Sequence, residues 1–218
     1  MSRFKTIYCR NDLADLIRQV GILPFFDNRV PGWSVEENID PGVWFTSDDG
    51  PWEWKGPLAC EKICAYGKFI RGKAAFVRPD WFAELANYRR GGYVAFDDMD
   101  EAGEAPRRDR LLMRYVAAHP GELSKYARRE SGVDRGYEAV LTRLEMQTWI
   151  INQDFRYSVD RQGRPYGWGN AALIRPEDWL DGFALPDRTP EESFERIVAH
   201  LRGLMPDVDE ALLRRELK

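Results

Sequence analysis

The sequence predicts an α+β fold in which two units, each made of helices followed by a β-hairpin, precede a tail of helices. Apolar residues recur at helical spacing in several segments of the chain. Two basic stretches that turn at a glycine have the composition of hairpins. Both hairpins also end alike, in AAFVRPDWF (74–82) and AALIRPEDWL (171–180), which indicates an internal duplication.

The first unit is predicted over residues 1–94. Its first helix ends at Gly21, because glycine favours the backbone conformation that closes a helix. Ser34 and Glu37, three residues apart, form the capping box of a short second helix. The hairpin strands and the helix after them are predicted over 63–70, over 74–77 and from Asp80 onward.

The second unit is predicted over residues 108–182, after a charged linker over 95–107 that is poor in large apolar side chains. Its third helix follows from an apolar stripe between Tyr137 and Ile151. Its hairpin turns near Gln162–Gly163. The tail over 183–218 is predicted to hold two helices. Their capping patterns are Thr189 with Glu192 and Asp207 with Glu210.

Helices followed by a hairpin are the order of a winged helix, so we predict tandem winged-helix units with a C-terminal helical tail. In such proteins one helix enters the DNA major groove and the hairpin, or wing, flanks it near the backbone. Cations at the hairpins suit contact with phosphates. Alternatively, lysine and arginine protect exposed hairpin edges from pairing with other chains. The hairpin residues predicted to bind DNA are Lys68, Arg71, Lys73, Arg156, Arg161 and Arg164.

The third helix of the second unit carries polar residues beside its apolar stripe. Arg135, Arg143 and Gln147 are predicted to bind DNA, because arginine and glutamine hydrogen-bond to guanine and adenine edges. Glu138 and Glu145 on the same helix would oppose phosphates. The alternative is a solvated helix face of mixed charge.

Composition limits the classes of function. Of the 218 residues, 44% are hydrophobic and 13% aromatic, which is typical of a packed globular protein rather than a disordered one. The net charge of −4 argues against a globally basic protein, so contact with nucleic acid requires local basic patches.

Location and cofactors are also constrained. No apolar run approaches a membrane span, and the first residues lack the apolar stretch of a secretory signal. We therefore expect a cytoplasmic protein with no membrane contact. Cys9, Cys60 and Cys64 lack the spacing of a structural zinc site, so we expect reduced thiols, no metal and no cofactor.

The segment DGPWEWKGP (49–57) places Glu53 between Trp52 and Trp54. An acid beside an aromatic floor suits a pocket for a nucleobase, so Glu53 is the candidate catalytic residue. The alternative is a strand that buries both tryptophans on one face and exposes Glu53 on the other. With Trp168 of the second hairpin, the two tryptophans are predicted to form an aromatic surface or cleft.

Several motifs resemble the short AlkZ-related proteins of bacteria, distant relatives of the AlkZ/YcaQ winged-helix DNA glycosylases. The resemblance spans most of the chain and implies tandem winged helices with a role at damaged DNA. The motifs are GPWEWKGP (50–57), AYGKF (65–69), WFAELANYRRGGY (81–93), LTRLEMQTW (141–149) and GRPYGWGNA (163–171).

In those glycosylases a Gln-x-Gln or Gln-x-Asp pair shortly after the first helix positions the attacking water. The corresponding stretch here, Gly21–Asn28, has Leu23 and Phe25 at those places. The sequence therefore predicts a protein that binds double-stranded DNA, with damaged DNA as a candidate ligand. One alternative is a divergent monofunctional glycosylase that excises alkylated bases. The other is a protein-interaction module built on winged helices.

Overall fold

The computed structural model describes residues 3–45, 49–162 and 164–218, without the side chains of Pro165, Tyr166 and Trp168. The first half contains α1 (Arg10–Val20), β1 (Ile22–Pro24), α2 (Val35–Asn38), α3 (Pro41–Trp44), α4 (Pro51–Cys60), β2 (Ala65–Ile70), β3 (Lys73–Val77) and α5 (Pro79–Arg89). The second half contains α6 (Phe96–Glu101), α7 (Arg107–Ala118), β4 (Glu122–Leu123), α8 (Ser124–Glu130), α9 (Tyr137–Met146), β5 (Ile151–Val159), β6 (Pro165–Ile174) and α10 (Pro176–Trp179). The tail contains α11 (Pro190–Leu204) and α12 (Glu210–Leu217).

The predicted α+β class is confirmed, and the two small antiparallel sheets are built in the same way. In each sheet the last strand lies between the other two, in the orders β1-β3-β2 and β4-β6-β5. Ile22 pairs with Val77 in the first sheet, and Leu123 pairs with Ala172 in the second. The same strand order, with helices between the first strand and the hairpin in each half, is the topology expected of an internal duplication.

Local signals in the sequence start and end several helices as predicted. The Gly21 N–H closes α1 by donating a hydrogen bond to the Ile17 carbonyl. Gly21 has a φ of +77°, a conformation that glycine adopts without strain. Ser34 Oγ accepts a hydrogen bond from the N–H of Glu37 at 3.1 Å and starts α2. Thr189 and Glu192 exchange hydrogen bonds of 3.2 and 2.8 Å at the start of α11, which is the predicted capping box.

Two predicted boundaries are wrong. The third helix of the predicted second unit, α9, ends at Met146 and does not reach Ile151, because Thr148 has a φ of +64° that turns the chain into β5. The last helix begins after Asp209, whose Oδ1 accepts from the Ala211 N–H at 3.0 Å. Asp207, predicted to cap it, instead forms an ion pair with Arg3 at 2.5 Å.

The strand interpretation of DGPWEWKGP is also wrong, since this segment enters α4. Helical residues two positions apart point about 200° apart, so Trp52 and Trp54 face different surroundings. Pro51 at the first helical position begins the helix in a favourable way because its fixed φ suits a first turn.

The structure contains two hydrophobic cores. The larger one lies between α1, α4, α5 and the first sheet, and residues of the second hairpin and the tail complete it. The smaller one is enclosed by α7, α8 and α9. Phe96 and Met99, from the segment predicted as a linker, are buried in the smaller core. Buried residues that the hairpin and tail add to the larger core are Ile151, Ile174, Phe194, Leu201 and Leu213.

The two halves are joined where β5 packs on α4 and β2, and where α9 packs on β2. Gly56 permits the close approach of α4 to β5, because a Cβ there would lie 3.0 Å from Asp154 Oδ1 and 3.3 Å from the Phe155 nitrogen. In the described ranges of the chain, no helix is long and apolar enough to cross a membrane.

Candidate nucleic-acid interface

The turn between α8 and α9 is held in place by its own core contacts. Val133 is buried, and the Tyr137 hydroxyl donates to the Ser124 carbonyl at 3.0 Å. Gly132 and Gly136 bend the chain with φ values of +78° and +72°. Gly136 precedes α9 without a side chain that can cap it. The first N–H groups of this ten-residue helix therefore have no side-chain cap.

Five arginines surround this turn and form what we call the arginine surface. Arg107 and Arg108 come from the start of α7, Arg128 and Arg129 from the end of α8, and Arg135 from the turn itself. They line two neighbouring depressions of about 300 and 270 Å³, which share Gly132 and Asp134. Arginines up to 28 positions apart in the sequence thus present guanidinium groups on one side of the molecule.

The arginine surface keeps most of its charge available to solvent. Arg128 lies 3.1 Å from Glu138, and its side chain is 59% exposed. Arg129 pairs with its neighbour Glu130 and is 69% exposed. Exposed pairs of this kind are weak, so an incoming anion can replace the acid as partner. Including Asp134, three acids face five arginines, which leaves a positive excess in an acidic protein.

Four members of the arginine surface were not identified from the sequence. Only Arg135 was a predicted DNA contact, since it directly precedes the third helix. Arg107, Arg108, Arg128 and Arg129 lie in helices, where charged residues usually form a solvated face. The doublets RR at 107–108 and 128–129 were the available signal, but their meeting depends on the packing of α7 against α8.

Arg143 is held by an ion pair within the protein, and the Gln147 side chain is partly buried. The Arg143 guanidinium binds both carboxylate oxygens of Asp109, with Nε 2.8 Å from Oδ2. Asp109 is fully buried, so this ion pair ties α9 to α7. Gln147 follows the last turn of α9, and its Oε1 is buried. The DNA contacts predicted for both residues stay predictions.

The flank of α9 that bears Thr142 and Met146 is covered by the first hairpin. Lys68 Nζ donates to Thr142 Oγ1 at 3.1 Å and lies 3.8 Å from Glu138 Oε2. A Cβ at Gly72 would lie 3.4 Å from Thr142 Cγ2. Lys68, predicted to contact DNA, therefore lies at the junction between the halves. The start of α9, where Glu138 and Ala139 are exposed, is open to a ligand.

The other predicted cations divide between two places. Arg71 and Lys73 lie at the first hairpin turn and contact the carbonyl oxygens of Arg215 and Asp27, at 3.3 and 3.5 Å. Arg156, Arg161 and Arg164 are exposed on the second hairpin. Near the tip, Asp160 accepts hydrogen bonds from the backbone N–H groups of Gln162 and Arg164 and from Arg164 Nε. These bonds hold Gln162 and Arg164 in place beside Asp160.

Glu53 serves the start of α4. Its Oε2 accepts from the Gly50 N–H at 3.3 Å, as the third-position glutamate of a capping box does. Trp54 is 2% exposed, and its Nε1 donates to Asp49 at 2.5 Å. Glu53 therefore stabilises the first turn of α4.

Trp52 belongs to an aromatic cluster rather than to a joint surface with Trp54. Its ring centre lies 4.8 Å from that of Phe25, 5.8 Å from Phe26 and 5.6 Å from Trp44. The side chain of Trp168, the third predicted aromatic residue, lies outside the part of the chain that the structure describes.

Lys55, which the sequence did not single out, is the buried cation of this region. Its Nζ donates to the Trp52 carbonyl and lies 4.5 Å from the Phe155 ring centre. The Tyr157 hydroxyl donates to the same carbonyl at 3.4 Å. Burial lowers the pKa of Lys55 to about 8. These contacts join α4 to β5.

The stretch Gly21–Asn28 carries no water-activating pair. Leu23 and Phe25 are both fully buried, one in β1 and the other in the aromatic cluster. Within the described residues, no group of three or more His, Cys, Asp or Glu side chains is arranged to hold a metal ion.

A comparison with protein-family models finds a match to the family described as AlkZ related, over residues 7–218. The resemblance proposed from the sequence motifs is therefore confirmed. Neither the curated proteins nor the solved structures contain a match to the chain.

Proposed function

The chain belongs to the AlkZ-related family, and from this premise we propose that it binds double-stranded DNA through the arginine surface and the second hairpin. Membership suggests a relation to DNA repair glycosylases. The observation that carries the proposal is the meeting of five arginines at the uncapped start of α9. Arginine side chains and helix N-termini are the groups that proteins use to hold phosphates.

The topology supports two winged-helix units. Each half runs through a helix, a first strand, further helices and a hairpin, and both sheets have the same strand order. In this arrangement α9 is the helix that directly precedes the wing β5–β6 in the chain. A helix that approaches DNA by its N-terminus and a wing with exposed arginines would together follow the phosphate backbone.

Contact through phosphates suits recognition of DNA structure rather than sequence. Phosphate contacts position a protein but carry no sequence information. The first hairpin covers one flank of α9, and Arg143 is held by Asp109, so few groups of α9 are available for base edges. We therefore propose binding that depends on the shape or damage of the duplex, in keeping with the family relation.

The proposal is limited to binding. Leu23 and Phe25 occupy the positions that correspond to the water-activating pair, and Glu53 caps α4. Each of these residues has a structural role, and none provides a group placed for base excision. Release of free base from alkylated duplex by the purified protein would show that the function extends beyond binding to base excision.

The direct test is the double variant Arg128→Gln with Arg129→Gln, measured by fluorescence anisotropy on a labelled duplex at several salt concentrations. Each lost phosphate contact makes the fall of log affinity with log salt less steep by about 0.9. The salt dependence of the double variant should therefore be flatter by about 2. The matched control is Arg18→Gln, since Arg18 is also half-exposed and paired with an acid, Asp15, at 2.7 Å on α1. Equal loss in both variants, or no loss in either, would contradict the proposed interface.

Damage recognition is tested by a second comparison in the same assay. We expect tighter binding to a duplex with an abasic-site analogue than to the intact duplex, with both losing affinity in the double arginine variant. Equal affinity for the two duplexes would reduce the proposal to general duplex binding.

A further inference from the structure

A cleft that the proposed duplex interface does not use lies beside the first hairpin turn. It has a volume of about 360 Å³ and is bordered by the chain after β1, the β2–β3 turn and α12. This volume falls within the range of small-molecule sites in proteins. Its lining includes Phe26, Arg29, Arg71, Lys73 and Glu216.

Glu216 places a buried acceptor in the wall of the cleft. The residue is 4% exposed, and its Oε1 accepts no hydrogen bond from any residue that the structure describes. The nearest cation, Arg29 Nε, is 3.7 Å away, which is too long for a hydrogen bond. A buried carboxylate oxygen without a donor is unfavourable, so a ligand that brings a donor to it gains a strong contact.

Arg71 and Lys73 place two cations at the rim. Both are exposed, and their polar contacts are long ones to the carbonyl oxygens of Arg215 and Asp27. Neither forms an ion pair with a described carboxylate. With Arg29 they make three cations against the two acids Asp27 and Glu216, so the cleft has a net positive charge suited to an anion.

The backbone at Arg71 adopts the left-handed conformation of a tight hairpin turn. Arg71 and Gly72 have φ values of +52° and +71°, the conformation of a hairpin turn in which asparagine or glycine is preferred at the first position. An arginine in this conformation is strained.

Phe26 adds an aromatic face to the cleft. It is partly buried, and its ring is supported at 5.1 Å by Phe25 and at 5.8 Å by Trp52. A ring fixed in this way is suited to stacking against a planar group, as occurs in pockets that hold a single nucleobase.

We propose that this cleft binds one nucleotide unit, with its phosphate on Arg71 and Lys73, its base against Phe26 and an amino group of the base donating to Glu216. A phosphate monoester is close to a dianion at neutral pH, which matches the three cations of the cleft. A carboxylate acceptor favours bases with an amino group over thymine, whose donor lies between two carbonyls. The proposal does not depend on duplex binding, because the cleft and the arginine surface share no residue.

The test is isothermal titration of the full chain with dAMP, dCMP, dGMP and TMP, together with inorganic phosphate. We expect the three nucleotides with amino groups to bind more tightly than TMP and phosphate. The variant Arg71→Gln with Lys73→Gln should weaken binding by about tenfold or more, since it removes charged hydrogen bonds. Lys5→Gln is the control and should bind as the parent does, because Lys5 is exposed, pairs with Asp12 and does not line the cleft.

The variant Glu216→Gln tests the base contact. It should reduce the preference over TMP while phosphate affinity is kept, and circular dichroism checks that it remains folded. If Glu216→Gln does not fold, the rim variant still decides the location. A short single-stranded oligonucleotide that binds more tightly, with the same sensitivity to the rim variant, identifies a nucleotide within a strand as the ligand. Binding of mononucleotides alone identifies a free nucleotide.

Three results would overturn the proposal. The first is the absence of binding at millimolar nucleotide. The second is equal binding of phosphate and all four nucleotides, which is an anion site without base recognition. The third is binding that the rim variant leaves unchanged. Loss of duplex binding in the arginine-surface variant with nucleotide binding intact would separate this site from the proposed DNA interface.

Discussion

Glu145 shows at the scale of one residue how the junction between the halves is built. It lies on α9, is 1% exposed, and accepts a hydrogen bond from Asn152 Nδ2 at 2.6 Å. Burial raises the pKa of its carboxyl to about 7, although the nearby charge of Lys68 opposes the shift. From the sequence Glu145 was expected to oppose phosphates. Buried between α9, β2 and β5, it instead bears on stability.

Glu145 predicts a pH dependence of stability. The pKa of Glu145 in the folded protein lies above the ordinary value of 4.5. Its contribution to the free energy of unfolding is therefore fully present below pH 4.5 and is lost as the pH rises through about 7. Glu145→Gln should therefore raise the free energy of unfolding at about pH 8 by up to about 3 kcal/mol and flatten its dependence between about pH 5 and 8. Urea unfolding at several pH values measures both effects.

Glu138→Gln is the matched control for Glu145. Glu138 lies on the same helix but is 61% exposed, so its ion pairs are expected to contribute little to stability. A pH profile that stays as steep in Glu145→Gln as in the parent would show that another group causes it.

At the scale of elements, two hairpins of similar sequence have different surroundings. The first turns at Arg71–Gly72 against α9 and α12, and its cations border the nucleotide cleft that we propose. The second packs one strand on α4 and extends an arginine-rich tip into solvent. The exposed tip of the second hairpin is therefore the one that we propose to contact the duplex.

The double variant Arg161→Gln with Arg164→Gln tests the second hairpin as a wing. It should weaken duplex binding and lower the salt slope by about 2, because two phosphate contacts are lost. Stability should change little, since the Arg164 pair with Asp160 is exposed. Arg202→Gln is a matched control, because Arg202 also pairs with an acid at the surface, on α11. Anisotropy equal to that of the parent protein would show that the hairpin lies outside the interface.

At the scale of the whole molecule, the tail completes the first core. Leu213 and Leu217 of α12 are buried in it, and Arg89 Nη2 donates to the Leu217 carbonyl at 2.5 Å. Asn87 Nδ2 on α5 donates a hydrogen bond of 2.8 Å to Ser193 Oγ on α11. The tail therefore stabilises the half of the chain that lies farthest from it in sequence.

Leu213→Ala measures how much the docking of α12 contributes. A fully buried leucine truncated to alanine costs about 2–5 kcal/mol, and urea unfolding should show that loss. Leu212→Ala is the control on the same helix, because Leu212 is only partly buried and should cost less. Equal small losses in the two variants would mean that α12 contributes little to the first core. The wall of the cleft around Glu216 would then be loosely held.

The sequence alone determined the features whose causes lie within a few residues. Gly21, Ser34 and Thr189 end or start helices by hydrogen bonds to near neighbours, and the Arg71–Gly72 turn defines the first hairpin. The turn predicted near Gln162–Gly163 includes Gly163, which lies outside the described residues. The family also follows from short motifs along the chain. The segment 49–57 was misinterpreted even locally, because its alternating tryptophans fit a strand while its Gly-Pro start and Glu53 favour a helix.

Only the tertiary structure decided which charged residues act together. Arg107 meets Arg135, Arg143 meets Asp109, and Glu216 meets the first hairpin turn across long separations in sequence. Such meetings depend on how helices and sheets pack, and packing is set by buried apolar surface rather than by the charges themselves. For that reason the arginines in the second half were visible in the sequence as charges, but their grouping into one surface was not.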